Sequence, residues 1–211
     1  MKPPIFSPVC QPSLLFAAVV ASILAGCATP SSVAPLSVPL SYKTMAEPGD
    51  FSTLPPCAAI SEVQVVDARS DKTIGKRYIE DKPSAIAPVT AASDVAAWVR
   101  SGAEQVLKQS GVSLGKPGAP ILRLSVEQIR TNENVVHRSG YDGRIVISGK
   151  LSKPGSGRVC WVDRASGAAE NYGYTGSVEN YQETLNHALD RAIIAFTNTA
   201  GFREAVCRCG K

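Results

Sequence analysis

The chain has 211 residues, 22 Lys and Arg against 18 Asp and Glu, and a formal net charge of +4. Its basic residues are scattered, the longest run being Lys76-Arg77, so it lacks the clustered positive footprint that nucleic-acid binding needs. The length suits one domain of ordinary size plus a tether.

Met1-Lys2 is a short, weakly basic start, followed by an uncharged apolar run from Leu14 to Leu24. That run is well short of the roughly 20 apolar residues that cross a bilayer, and it suits the apolar region of a secretory signal peptide. It ends in Leu24-Ala25-Gly26-Cys27, which resembles the lipobox of bacterial lipoproteins. Small residues before the cut let a peptidase approach the backbone, and the Cys27 thiol is the nucleophile that takes the lipid. Pro30 and Pro35 follow at once, so the run does not continue as a core helix. The resemblance implies cleavage after residue 26 and three acyl chains on Cys27; two or more chains anchor firmly, where one does not. The next residue is Ala28 and not Asp, which by the usual sorting rule of that class points to the outer membrane. No later apolar segment is long enough to span a membrane.

Residues 27–56 are rich in Pro, Ser and Ala and are expected to form a tether. As polyproline II it would reach on the order of 90 Å. Leu36 to Leu40 alternates enough for an edge strand. A single folded domain is expected over residues 57–211. Ala59 to Asp67 is β-branched and roughly alternating, a strand, and Asp67 to Lys72 with Gly75 is a polar turn. Ala85 to Val89 is expected at an edge, because Pro88 cannot donate to a ladder.

Ser93 and Asp94 open the first helix. Val95, Trp98, Val99, Gly102, Val106 and Leu107 recur at helical spacing, and Gly111 stops it. Ile121 to Ile129 and Gly143 to Leu151 alternate as strands. Lys153 to Gly157 is a turn, Val159 to Asp163 a strand, Ser166-Gly167 a turn, and Ala168 to Ser177 a strand. Short connections of this kind predict an antiparallel meander. A second helix is expected from Asn180, with Glu183 completing a capping box. Leu185, Ala188, Leu189, Ala192, Ile193 and Phe196 form its buried face. Gly201 to Val206 adds a short turn or helix. The fold class expected is α+β: an antiparallel sheet of about four to six strands with two helices on one face, in the order strand, helix, strands, helix.

Six cysteines are present. With Cys10 removed and Cys27 lipidated, Cys57, Cys160, Cys207 and Cys209 remain, an even number that suits two disulfides in an oxidising compartment. Cys207 and Cys209 are too close in sequence to pair easily with each other, so each is expected to take a distant partner. A lone C-x-C without a nearby histidine is a poor zinc pattern, and neither metal nor cofactor is expected beyond the lipid.

The lipobox, the order of elements and three local features together resemble the YajG-type family of outer-membrane lipoproteins. The features are Val65-Val66-Asp67-Ala68-Arg69 followed by Ile74-Gly75, the helix Asp94 to Gln109 followed by Gly111-Val112, and the closing helix with Phe202 after it. Lys153 to Gly157 and the C-terminal cysteines depart from that pattern. The resemblance implies a location and a fold more than a mechanism.

No G-x-S-x-G, P-loop or H-E-x-x-H motif occurs. His187 borders the apolar face of the second helix, and His137 lies in a polar stretch without an adjacent nucleophile. Asp67 and Arg69 are candidates for partner contact, although a local turn device explains them as well. Tyr172 and Tyr174, near Tyr181, are candidates for an interface anchor or for cross-strand packing. The expected function is that of a non-enzymatic envelope lipoprotein, held to the membrane by lipid and docking another envelope protein. The alternatives are an accessory subunit of lipid or lipopolysaccharide transport with an apolar groove between sheet and helices, and a periplasmic enzyme using His137 or a free cysteine.

Overall fold

A computed structural model describes residues 32–135 and 139–209. Nine strands and three α-helices are found there: β1 (Leu36–Val38), β2 (Ala59–Ile60), β3 (Glu62–Asp67), β4 (Thr73–Ile79), β5 (Lys82–Ala91), α1 (Val95–Gln109), β6 (Ser113–Leu114), β7 (Ile121–Asn134), β8 (Ser139–Ser152), β9 (Val159–Gly173), α2 (Val178–Thr197) and α3 (Ala200–Arg208). The main sheet has seven strands in the order β1-β5-β4-β7-β8-β9, with β3 also on β7; β2 and β6 form a separate parallel pair.

The class is α+β, with three differences from expectation. The sheet is larger and mixed, since β1 runs parallel to β5 and both β3 and β4 run parallel to β7. A third helix, α3, follows α2. And β9 is one continuous strand where a turn was expected at Ser166-Gly167. Gly167 stays in the ladder opposite Ile145. It is small because α2 lies against it: a Cβ there would sit 1.9 Å from the Ala188 carbonyl oxygen.

The expected boundary at residue 57 also moves. Within the Pro-rich segment, Val38, Leu40 and Leu54 are buried with the core, and β1 pairs with Val89 to Ala91 of β5. α2 clasps this segment with buried polar groups. The Asp190 carboxylate accepts from Tyr42 Oη (2.5 Å), Met45 N (2.7 Å) and Ala46 N (2.9 Å). Asn186 donates to the Ser41 carbonyl and accepts from Trp98 Nε1 at 2.9 Å. Ser93 serves this clasp too, its Oγ accepting from Leu40 N. The N-cap of α1 is Asp94, which accepts from Ala96 N and Ala97 N. The N-cap of α2 is Ser177, three residues before the expected start.

Both long helices cover one face of the sheet. The layer between is filled by Val65, Leu124, Ile145, Val99, Leu107, Leu185 and Leu189 among others, all nearly inaccessible to solvent. At the far end, Trp161 meets Phe196 and Phe202 edge-on. Beside it the disulfides Cys57–Cys207 and Cys160–Cys209 fasten α3 to the body. None of the helices described is long and apolar enough to cross a membrane.

Candidate functional site

Among the described residues no helix lies over the other face of the sheet, and two clefts open on it. The larger, about 630 Å³, lies where β3 ends and β4 begins along the same edge of β7. β7 changes register against β8 there, between Val126 and Gln128. Such a bulge re-aims the side chains that follow it.

Arg69, with Ser70 and Asp71, forms one wall, and Asp67 holds Arg69 in place. Arg69 is 6% exposed. Its Nε and Nη2 donate to the two Asp67 oxygens at 2.8 and 2.9 Å, and its Nη1 donates to the Thr73 carbonyl at 2.7 Å. The Arg69 guanidinium holds the Asp67 carboxyl down at about 2. Asp71 closes the same turn by accepting from Thr73 N and Oγ1. The arrangement is a turn clamp whose bonding capacity is largely used internally, so it shapes the cleft more than it offers charge.

Free charge is found one strand further on. Arg130 of β7 stands directly opposite Arg144 of β8 on the uncovered face, both exposed. Like charges in that position repel. The next outward row is Lys76, Asn132, Asp142 and Glu170. Asn132 is only 9% exposed; its Nδ2 donates to Asp142, while its Oδ1 has no partner among the described groups. The second cleft, about 430 Å³, continues the face between Val66 and Val162, with Arg123 and Lys150 on its floor. Arg164 is paired with Glu127 at 2.6 Å, and Arg123 donates to Gln64 and Ser152, both at 2.8 Å.

Tyr172 lies on this face at the opposite end of the rows, its ring over Gly140. Tyr174 follows in the loop after β9 and is 83% exposed. Tyr181, expected to cluster with them, is instead fully buried against Tyr141. Both buried tyrosines adjoin a group that sequence did not single out: Glu133, with 0% exposure. It pairs with Arg77 at 2.5 Å and accepts from Tyr181 Oη and Gly176 N; Tyr141 Oη lies 3.3 Å away, its proton directed to the Tyr174 carbonyl. Burial raises its pKa, and the Arg77, Gly176 and Tyr181 bonds more than offset that, leaving it below the usual carboxylate range. Coulombic cues to this pair were absent from the sequence, since the partners are 56 residues apart.

Cys27, the lipobox residues Leu24 to Gly26, and His137 lie outside the described residues. His187 borders a cleft of about 580 Å³ between α2 and Met45 to Asp50, but the neighbouring Asp190 is committed to the clasp. Cys57, Cys160, Cys207 and Cys209 are all in disulfides. Among the described residues no group of three or more His, Cys, Asp or Glu is placed to hold a metal.

A family model described as uncharacterized lipoprotein matches residues 58–203. No curated protein matches the chain. Among solved structures, a Xanthomonas campestris protein aligns over 81% of this chain and 96% of its own, at 9% identity and a TM-score of 0.48. A minor lipoprotein from Acinetobacter baumannii aligns over 71% and 90% respectively, at 12% identity and a TM-score of 0.35.

Proposed function

Since the chain belongs to the uncharacterized-lipoprotein family, we propose that it is a YajG-type lipoprotein anchored through Cys27 in the outer membrane, and that it docks an acidic segment of an envelope protein on its uncovered sheet face. Leu24-Ala25-Gly26-Cys27 and Ala28 support the anchor and the address. The observation that carries the docking is the facing pair Arg130 and Arg144, exposed and, among the described residues, without a carboxylate partner. An acidic ligand would relieve that repulsion; Arg130 lines the larger cleft, and the second cleft extends the relief further along the strands. Complementary charge chiefly sets encounter rate and choice of partner.

The role is non-catalytic. That reading is supported by the engagement of the body's four cysteines in disulfides and of Asp190 in the clasp. The lipid-transport alternative needs an apolar groove between sheet and helices, and the filling of that layer speaks against it.

The test is photocrosslinking in cells from Arg144→p-benzoylphenylalanine, with the adducts identified by mass spectrometry. One protein adduct is expected, and it should vanish when Arg130 is changed to Glu. No adduct from position 144, or one indifferent to Arg130→Glu, would refute the docking face.

A further inference from the structure

The point where the chain joins the body constrains which end of the sheet faces the membrane. Val33 packs against Ile79, Ala85 and Val135. The Ala34 carbonyl accepts from Arg77 Nη1 at 3.0 Å. Both contacts lie at the end where β4 turns into β5 and where β7 finishes. Val33 is six residue steps from Cys27, a reach of about 20 Å when fully extended. β8 has 14 residues, which at strand rise is about 45 Å. The leash is therefore less than half the length of the sheet, and the end that holds Val33 stays near whatever surface holds Cys27.

That end carries Tyr172 and Tyr174, 73% and 83% exposed. Ile86, 54% exposed, completes the outward row Ile86, Tyr78, Asn134, Gly140, Tyr172. The Tyr174 loop is fixed in place. Tyr141 Oη donates to the Tyr174 carbonyl, and Gly176 N donates to buried Glu133. Arg77 binds Ala34 with Nη1 and places Nη2 3.0 Å from where a Cβ on Gly176 would lie. One guanidinium thus joins the attachment point of the leash to the loop that presents Tyr174. Tyrosine has an apolar ring and a polar tip, the combination favoured at the level of lipid headgroups.

We propose that Tyr174, Tyr172 and Ile86 rest in the headgroup layer of the membrane that holds the Cys27 lipid, so that β7, β8 and β9 rise away from it. This rests on Cys27 being lipidated. The disulfide-bonded end and the Lys153–Arg158 turn then point away from the bilayer.

The test uses the mature full-length lipoprotein in vesicles of phosphatidylethanolamine and phosphatidylglycerol. Photoreactive p-benzoylphenylalanine replaces Tyr174, Tyr172 or, at the far turn, Ser156, and each variant is checked for native circular dichroism. Intact mass comes first: lack of acyl mass on Cys27 would refute the anchor by itself. With the acyl chains present, lipid adducts at 174 and 172 should exceed those at 156 several-fold, and Cys27→Ser should remove them. Adducts at neither tyrosine position above the level at Ser156 would overturn the orientation while leaving the anchor intact.

Discussion

Replacing Arg77 by Met leaves Glu133 buried with its charge uncompensated. The Glu133 side chain is fully enclosed and the Arg77 side chain is 12% exposed, so solvent does little to screen the pair. Removing one partner of such a pair costs about 3–5 kcal/mol. The remaining donors, Tyr181 and Gly176, place the expected loss at the lower end. Guanidinium chloride unfolding with the disulfides intact measures it. The dependence on pH gives a second signature. In the parent, the folded pKa of Glu133 lies below its ordinary 4.5. Its contribution is therefore present above pH 4.5 and lost as pH falls through the folded value. In Arg77→Met the largest lowering influence is gone, so the folded pKa rises from its value in the parent. The variant then recovers stability relative to the parent as pH falls toward 4. Arg77→Met combined with Glu133→Gln should cost less than the sum of the two single changes. A loss under about 1 kcal/mol, or a parent–variant difference that widens in acid, would refute this account of the network.

Gly167→Ala forces a Cβ against the Ala188 carbonyl, 1.9 Å away in the present geometry; overpacking of this kind costs about 1–3 kcal/mol, read as a lower Tm. Asp190→Ala removes the acceptor for two backbone N–H groups and the Tyr42 hydroxyl. Hydrogen exchange should quicken at residues 41–46 while α1 and β8 stay protected. Cys57→Ser with Cys207→Ser opens a link across 150 residues and should lower stability by about 2–5 kcal/mol; denaturant unfolding reports the loss, and non-reducing peptide mapping of the parent should recover 57–207 and 160–209 linkages.

Periodic apolar residues made much of the fold legible. In α1, Val95, Trp98, Val99, Gly102, Val106 and Leu107 are all buried as their spacing predicts, and the alternation in β7 and β8 marks the covered face of the sheet. Strand β4 was hidden for a physical reason. Its sequence has Gly75, Lys76 and Arg77, and Arg77 turns inward to a carboxylate that arrives from β7, which breaks the binary pattern that marks a half-buried strand. β1 was legible as an edge strand in the alternation of Leu36 to Leu40, but its parallel pairing with a strand some fifty residues on was not. Gly167 signalled a turn because sequence cannot show a helix crossing over it. In the candidate site, Asp67 and Arg69 were visible as a motif. The opposition of Arg130 and Arg144 depends on a bulge-shifted register, and no local pattern encodes that.

The proposed membrane contact meets the larger cleft at Ile86, but the arginine pair and the exposed tyrosines are separated along the strands. Arg144 is four residues up β8 from Gly140, whose neighbour across the ladder is Tyr172. At strand rise that places the arginine pair about 14 Å above the tyrosine level. At physiological salt the Debye length is about 8 Å, so anionic headgroups are largely screened at that height. Arg130 and Arg144 then select a carboxylate-bearing protein over lipid. Lys150 and Arg123 stand a further six or seven residues up, roughly 20 Å higher. A partner that satisfies both sets must present acidic groups over a strip standing upright on the membrane. Charge reversal at Arg130 should therefore weaken its capture without changing the lipid adducts at Tyr174. A change at both positions together would show that the two surfaces act as one.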